Sequence, residues 1–136
     1  MKAAIVDTDT ISYFFRGNAD VVSKIDKYLL DGDPLHLSVV TYYEILSRLY
    51  FKYAKNQLIR FARFVEIIQV LPLTTEIATV SAKIYSDLRA TGQTLGHNDV
   101  LIAGTAVVHG LTLITNNTRH FSRIAKLDID NWVATG

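Results

Sequence analysis

The sequence predicts a three-layer α/β/α sandwich around a central, mainly parallel sheet, and three observations carry that prediction. Short apolar runs alternate with longer segments of helical apolar spacing, the pattern of parallel strands joined by helical crossovers. The alternation runs along the whole chain without a repeat, a linker or a low-complexity stretch. A length of 136 residues with 49% hydrophobic and 20% charged content supplies enough apolar material for one sizeable core, so a single domain over 1–136 is expected.

Residues 3–7 read as a short buried strand ending in the carboxylate of Asp7, and Thr8 to Arg16 as a helix stopped by Gly17 and Asn18. A second helix is expected over 19–31, where Val22, Ile25, Leu29 and Leu30 approach helical spacing before Gly32-Asp33-Pro34. His36 to Val40 reads as a strand. Thr41 to Tyr53 and Asn56 to Gln69 carry apolar and aromatic residues at helical spacing, an antiparallel helical pair with its break near Ala54-Lys55. Residues 70–73 form a short strand, and Thr75 to Ala90 a long amphipathic helix ended by Thr91 and Gly92, a natural left-handed cap. Residues 99–109 are apolar almost all round, as in a buried helix. Leu111 to Thr115 reads as a strand, a short helix starts at Thr118, and Ile129 to Val133 can close the sheet as an edge strand.

Composition narrows the chemistry. No run of about 18 uncharged apolar residues occurs, and the N-terminus passes from Lys2 to Asp7 without a signal-like stretch, so a soluble, cytoplasmic protein without a membrane partner is expected. The absence of cysteine excludes disulfides, thiolate zinc sites and cysteine nucleophiles, leaving oxygen or histidine ligands for any metal. A net charge of +1 does not identify a partner. Two basic groups, Arg48, Lys52, Lys55, Arg60 and Arg63, then Arg119, Arg123 and Lys126, read first as solvated helix faces and second as phosphate or acidic-partner contacts.

Singly, each notable acid has a structural explanation. Asp7 at a strand end can cap the following helix. Glu44 completes a capping-box pattern with Thr41. Asn98 and Asp99 can be an N-cap and a first-turn acid. Jointly they share a location, because each lies where a strand or loop hands over to a helix, the edge of an open parallel sheet at which ligands bind. Carboxylates converging there repel one another, and a hard divalent cation relieves that repulsion. Magnesium or manganese held by oxygen ligands suits phosphodiester hydrolysis.

Four blocks then carry a resemblance. Ala4-Ile5-Val6-Asp7-Thr8-Asp9-Thr10, Ser38-Val39-Val40-Thr41-Tyr42-Tyr43-Glu44-Ile45, Asn98-Asp99-Val100-Leu101-Ile102-Ala103 and Leu113-Ile114-Thr115-Asn116-Asn117-Thr118-Arg119-His120-Phe121 stand in the order and approximate spacing of a PIN domain. Within that family they resemble the VapC toxins of type II toxin-antitoxin systems. The resemblance covers essentially the whole chain. It implies a Mg2+-dependent endoribonuclease, Mn2+ being a substitute, with Asp7, Glu44 and Asp99 as metal-binding acids and Thr115 and Asn117 beside the metal. It also implies an RNA substrate, with a slight tilt toward tRNA, products with 5′-phosphate and 3′-hydroxyl ends, a VapB-type antitoxin and a homodimer. One departure stands out: many PIN domains have aspartate where this chain has Asn117, and Asp9, where a neutral residue is common, partly offsets the lost charge.

Two other functions compete. Asp7-Thr8-Asp9-Thr10 is similar to the D-x-D-x-T opening of haloacid-dehalogenase-like phosphatases, in which Asp7 would be the nucleophile, although that reading leaves Glu44 idle. A non-catalytic module that grips RNA or antitoxin is the second, suggested by Asn117. His97 reads as a loop residue, His109 as a helix-end residue, and His120 with Arg119 as a lesser candidate for phosphate contact. Tyr13, Phe14 and Phe15, with the segment from Tyr42 to Tyr53, are candidates for an antitoxin groove, with core packing as the alternative.

Overall fold

A computed structural model of the chain describes residues 2–133. Five strands, β1 (Ala4–Val6), β2 (Leu35–Ser38), β3 (Gln69–Leu71), β4 (Thr112–Ile114) and β5 (Ile129–Asp130), form one sheet in the order β3-β2-β1-β4-β5. Every pairing is parallel. The chain builds outward from β1 through β2 to β3, then returns to the other side of β1 for β4 and β5. The order therefore reverses between β1 and β4, and strand ends that diverge in this way open a crevice at their carboxyl edge.

Seven helices are described: α1 (Thr8–Phe15), α2 (Ala19–Asp31), α3 (Val39–Phe51), α4 (Lys55–Ile67), α5 (Thr75–Ala90), α6 (His97–His109) and α7 (Thr118–Phe121). The pleat of β1 divides them into two layers. Ala4 and Val6 join Leu35, Leu37 and Ile114 in a core with Ile11, Ile25, Ile45, Phe61 and Phe64 of α1 to α4. Ile5 points the other way and joins Leu113 and Leu71 in a core with Leu88, Ile102, Ala103 and Phe121 of α5 to α7. Two faces buried by apolar side chains make the α/β/α sandwich that the sequence predicts.

Helix boundaries follow local chemistry. Asn18 caps α2 by accepting from the Val21 amide at 3.2 Å, and Gly32 ends it in the left-handed conformation, φ 71°. Thr74 caps α5 by accepting from the Ile77 amide at 3.1 Å. Tyr53, at φ 52°, makes the break between α3 and α4.

Several boundaries differ from expectation, among them β3, which takes Gln69 from the expected end of α4 and stops at Leu71 before Pro72 and Leu73. Val39 and Val40, read as the end of a strand, are the first residues of α3, because the Ser38 hydroxyl accepts from the Val40 amide at 3.0 Å and starts the helix early. α6 begins at His97 with Gly96 as its N-cap, two residues before the expected start at 99. The edge strand β5 is only Ile129–Asp130, and Trp132 turns back to pack on Tyr28 with ring centroids 5.0 Å apart.

Helices α5 and α6 pack on one another and lie close at Gly104. A Cβ there would lie 1.9 Å from Ser81 Oγ, 3.1 Å from Ser81 Cβ and 3.3 Å from the Ile77 carbonyl oxygen. Ser81 Oγ is itself buried without a hydrogen-bond partner among the described residues. Gly104→Ala is expected to destabilise by about 1–3 kcal/mol in denaturant unfolding, with Ser81→Ala restoring part of the loss in the double variant. An unchanged midpoint for Gly104→Ala would contradict the close helix contact.

Candidate active site

The crevice at the β1–β4 switch point receives Asp7 directly. The Asp7 amide donates to the Ile114 carbonyl at 2.9 Å, tying the end of β1 to the end of β4, while its carboxylate caps α1 by accepting from the Thr10 amide at 2.8 Å. The capping reading of Asp7 is thus realised, and it leaves carboxylate lone pairs for other partners. Asp7 is only 5% exposed. Burial pushes its carboxyl up to about 6, against the opposing pull of the Thr115 hydroxyl and of Thr10, and Asp9 adds repulsion.

Thr115, fully buried just after β4, links the first and fourth sequence blocks. Its oxygen accepts from the Asn117 amide at 2.9 Å, so its single proton is free to be donated to the Asp7 carboxylate. Thr115 therefore orients Asp7. Asn117, the N-cap of α7, engages the His120 Nδ1 through its side-chain oxygen.

Glu44 does not complete a capping box. Because α3 starts at Val39, Thr41 and Glu44 lie inside the helix rather than at its cap. The Thr8 hydroxyl donates to Glu44 Oε1 at 2.8 Å and meets the Thr41 hydroxyl at 3.1 Å, which turns Glu44 back toward the start of α1. Asp99, in the first turn of α6, is half-buried. Burial raises its carboxyl, Glu44 and then Asp9 raise it further by repulsion, and His120 draws it down. Asp9 therefore acts on both Asp7 and Asp99, and Glu44 acts on Asp99.

Among the described residues no three Asp, Glu or His side chains stand together closely enough to hold one metal ion. The donor set nevertheless fits a small hard cation, which retains several waters and needs one or two carboxylates rather than a full protein cage. The observation that carries the fit is the burial of the Asp7 and Asp99 carboxyls, which raises both, with Glu44 and Asp9 adding repulsion at Asp99.

Other readings are corrected by position. His97 is a helical residue whose ring stacks on Tyr85 at 4.6 Å, not a loop side chain. Phe14 and Phe15 are half-buried and pack against the core, with ring centroids 5.2 Å and 5.6 Å from Phe64, and Phe15 5.8 Å from Phe61. Tyr43, Tyr50, Phe51 and Tyr53 do remain exposed. Ile11, fully buried, occupies the position at which the D-x-D-x-T opening has threonine. Thr8 as the partner of Glu44 and His120 as a neighbour of Asp99 were hidden in the sequence, since both pairings depend on the fold.

The PIN domain family model matches residues 4–127 of this chain. Ribonuclease VapC1 of Rickettsia felis is 30% identical over 129 residues, covering 92% of both chains. The tRNA(fMet)-specific endonuclease VapC of Salmonella typhimurium is 26% identical over 133 residues, 97% of this chain and 99% of that protein. Among solved structures, VapBC-1 from nontypeable Haemophilus influenzae superposes with a TM-score of 0.85 at 28% identity, covering 97% of this chain and 99% of its own.

The raised carboxyl of Asp7 sets a stability dependence with a definite sign. Between the ordinary aspartate value of 3.8 and about 6 the folded state holds the proton more tightly than the unfolded chain. This group's contribution is therefore fully favourable below that window and is lost as pH rises through it, a change of roughly 3 kcal/mol. In metal-free buffer, Asp7→Asn is expected to flatten that decline and to unfold at a higher temperature than the wild type at pH 7.5. Parallel pH profiles for the two proteins would contradict the burial penalty.

Proposed function

Because the chain belongs to the PIN domain family, in its VapC ribonuclease branch, we propose that it is a divalent-metal-dependent endoribonuclease whose active site is the acidic crevice at the β1–β4 switch point. The observation that carries the site is a buried Asp7 at the sheet edge beside a half-buried Asp99 that Glu44 and Asp9 repel.

Asp7 and Asp99 would hold the cation, and Glu44 would join them or orient a water. Mg2+ or Mn2+ bound there would supply Lewis-acid polarisation of the phosphodiester and help activate the attacking water. The protein's own part is orientation and charge. The Thr115 proton fixes the Asp7 carboxylate, the Thr8 proton fixes Glu44 Oε1, and the start of α6 presents Asp99. Hydrolysis is expected to leave 5′-phosphate and 3′-hydroxyl ends, with no covalent enzyme intermediate. Asn117 lacks a charge, its oxygen already engages His120, and Asp9 is the acid nearest to replacing it electrostatically.

The Salmonella relative's specificity for tRNA(fMet) makes a tRNA the first substrate to test. The complex represented by the Haemophilus structure makes a VapB-type antitoxin the first partner, with this chain as the toxin of the pair. The exposed Tyr43, Tyr50, Phe51 and Tyr53 around α3 supply an apolar surface that such a partner, or a second copy in a homodimer, would cover.

Asp7→Asn, Asp99→Asn and Glu44→Gln are each expected to lower metal-dependent RNA cleavage by about a hundredfold or more, and Thr115→Val by about 10–100-fold through loss of orientation. Mapping 5′ ends of RNA fragments after expression of the wild type and Asp7→Asn reads the reaction directly. Equal cleavage by purified Asp7→Asn, or cleavage that survives chelation, would overturn the assignment.

A further inference from the structure

Beside the acids, a cleft of ≈330 Å³ opens between α1, α3 and the loop that follows β4. Asp9 lines it and is also the exposed acid that repels both Asp7 and Asp99, so the cleft begins where the acidic site ends. Arg16 and Arg48 face the same space, one from the end of α1 and one from α3.

What holds these two guanidiniums is neutral. Arg48 donates to Ser12 Oγ at 3.4 Å, a long contact that uses one of its five N–H donors. Arg16 lies over the Tyr13 ring, 4.8 Å from the centroid. The Tyr13 hydroxyl in turn accepts from Asn116 Nδ2 at 3.5 Å. Among the described residues, two oriented cations with most of their donors unused thus border a site made repulsive to anions by its own acids.

We propose that this cleft binds the RNA phosphate next to the scissile one, with Arg16 and Arg48 as its clamps, an inference that rests on the nuclease reading above. A planar guanidinium matches the paired non-bridging oxygens of a phosphodiester, whereas two cations side by side disfavour a second metal ion. Arg16 covers a face of Tyr13, so stacking of a base on that face is blocked and the contact is to the backbone. Backbone contacts set register and orientation without reading sequence. Arg16 and Arg48 are accordingly positioning residues: they draw the strand across the carboxylates and fix which diester reaches Asp7 and Asp99.

The test is performed in the Asp7→Asn background, which separates binding from cleavage. Binding of total tRNA and of a fluorescent unstructured oligoribonucleotide is measured by anisotropy across a salt series with Mg2+, for Arg16→Ala, Arg48→Ala and the lysine variants. Each alanine variant is expected to weaken binding about five- to tenfold and to reduce the magnitude of the log–log salt slope by ~0.7, with lysine restoring the slope but only part of the affinity. In the Asp7-intact protein the corresponding loss falls on KM rather than on kcat. Unchanged affinity and slope in both alanine variants, beside a wild type that cleaves RNA, would overturn the phosphate site while leaving the nuclease reading standing. So would unchanged RNA binding with loss of an acidic protein partner, which would assign the cleft to protein recognition. A wild type that neither binds nor cleaves RNA would remove the nuclease reading and this inference together.

Discussion

Burial of the Asp7 carboxylate where the sheet order reverses is the constraint on which the rest of the site depends. Its amide is tied to the end of β4, its side chain caps α1, and a threonine from the fourth block supplies a proton to it. One residue thus joins the two halves of the sheet, starts a helix and forms the floor of the acidic crevice. A carboxylate in that position is held by protein dipoles alone, and these are insufficient to return it to its ordinary range. The folded protein therefore carries an electrostatic cost in the place where a cation would be stabilised, a common division between stability and activity.

The remaining acids are arranged so that this cost is shared rather than cancelled. Glu44 is turned inward by Thr8, and Asp99 is raised by its burial and then by Glu44 and Asp9. Arg16 and Arg48 stand beside the acids and are steadied by a phenol ring and a hydroxyl rather than by a carboxylate. Negative charge collects in the crevice and positive charge collects along its margin. That alternation suits a polyanionic strand whose scissile group must approach carboxylates while its neighbours require cations.

Much of the scaffold was legible in the sequence because local signals agreed with the fold. Gly32 and Gly92 mark helix ends by left-handed backbone, and α2 and α5 match the expected bounds. The boundary after β2 was not legible. Val39 and Val40 favour strands by their branching, and only the Ser38 hydroxyl, acting within the folded chain, commits them to α3. That shift also removed the capping role from Glu44 and left it available to the crevice. The blocks containing Asp7, Glu44 and Asp99 could be named from their order along the chain. Their supports could not, since Thr8 with Glu44, Tyr85 with His97 and Asn116 with Tyr13 are contacts between separate elements.

The central claim is that the carboxylates at the β1–β4 edge form a cation site. Anomalous diffraction from crystals grown with manganese tests it most directly. The account predicts an anomalous peak at inner-sphere distance from the Asp7 and Asp99 carboxylates, with Glu44 at its border and Thr115 still bonded to Asp7. A manganese ion bound elsewhere on the chain with this crevice empty, or Asp7 turned away from the ion, would contradict it.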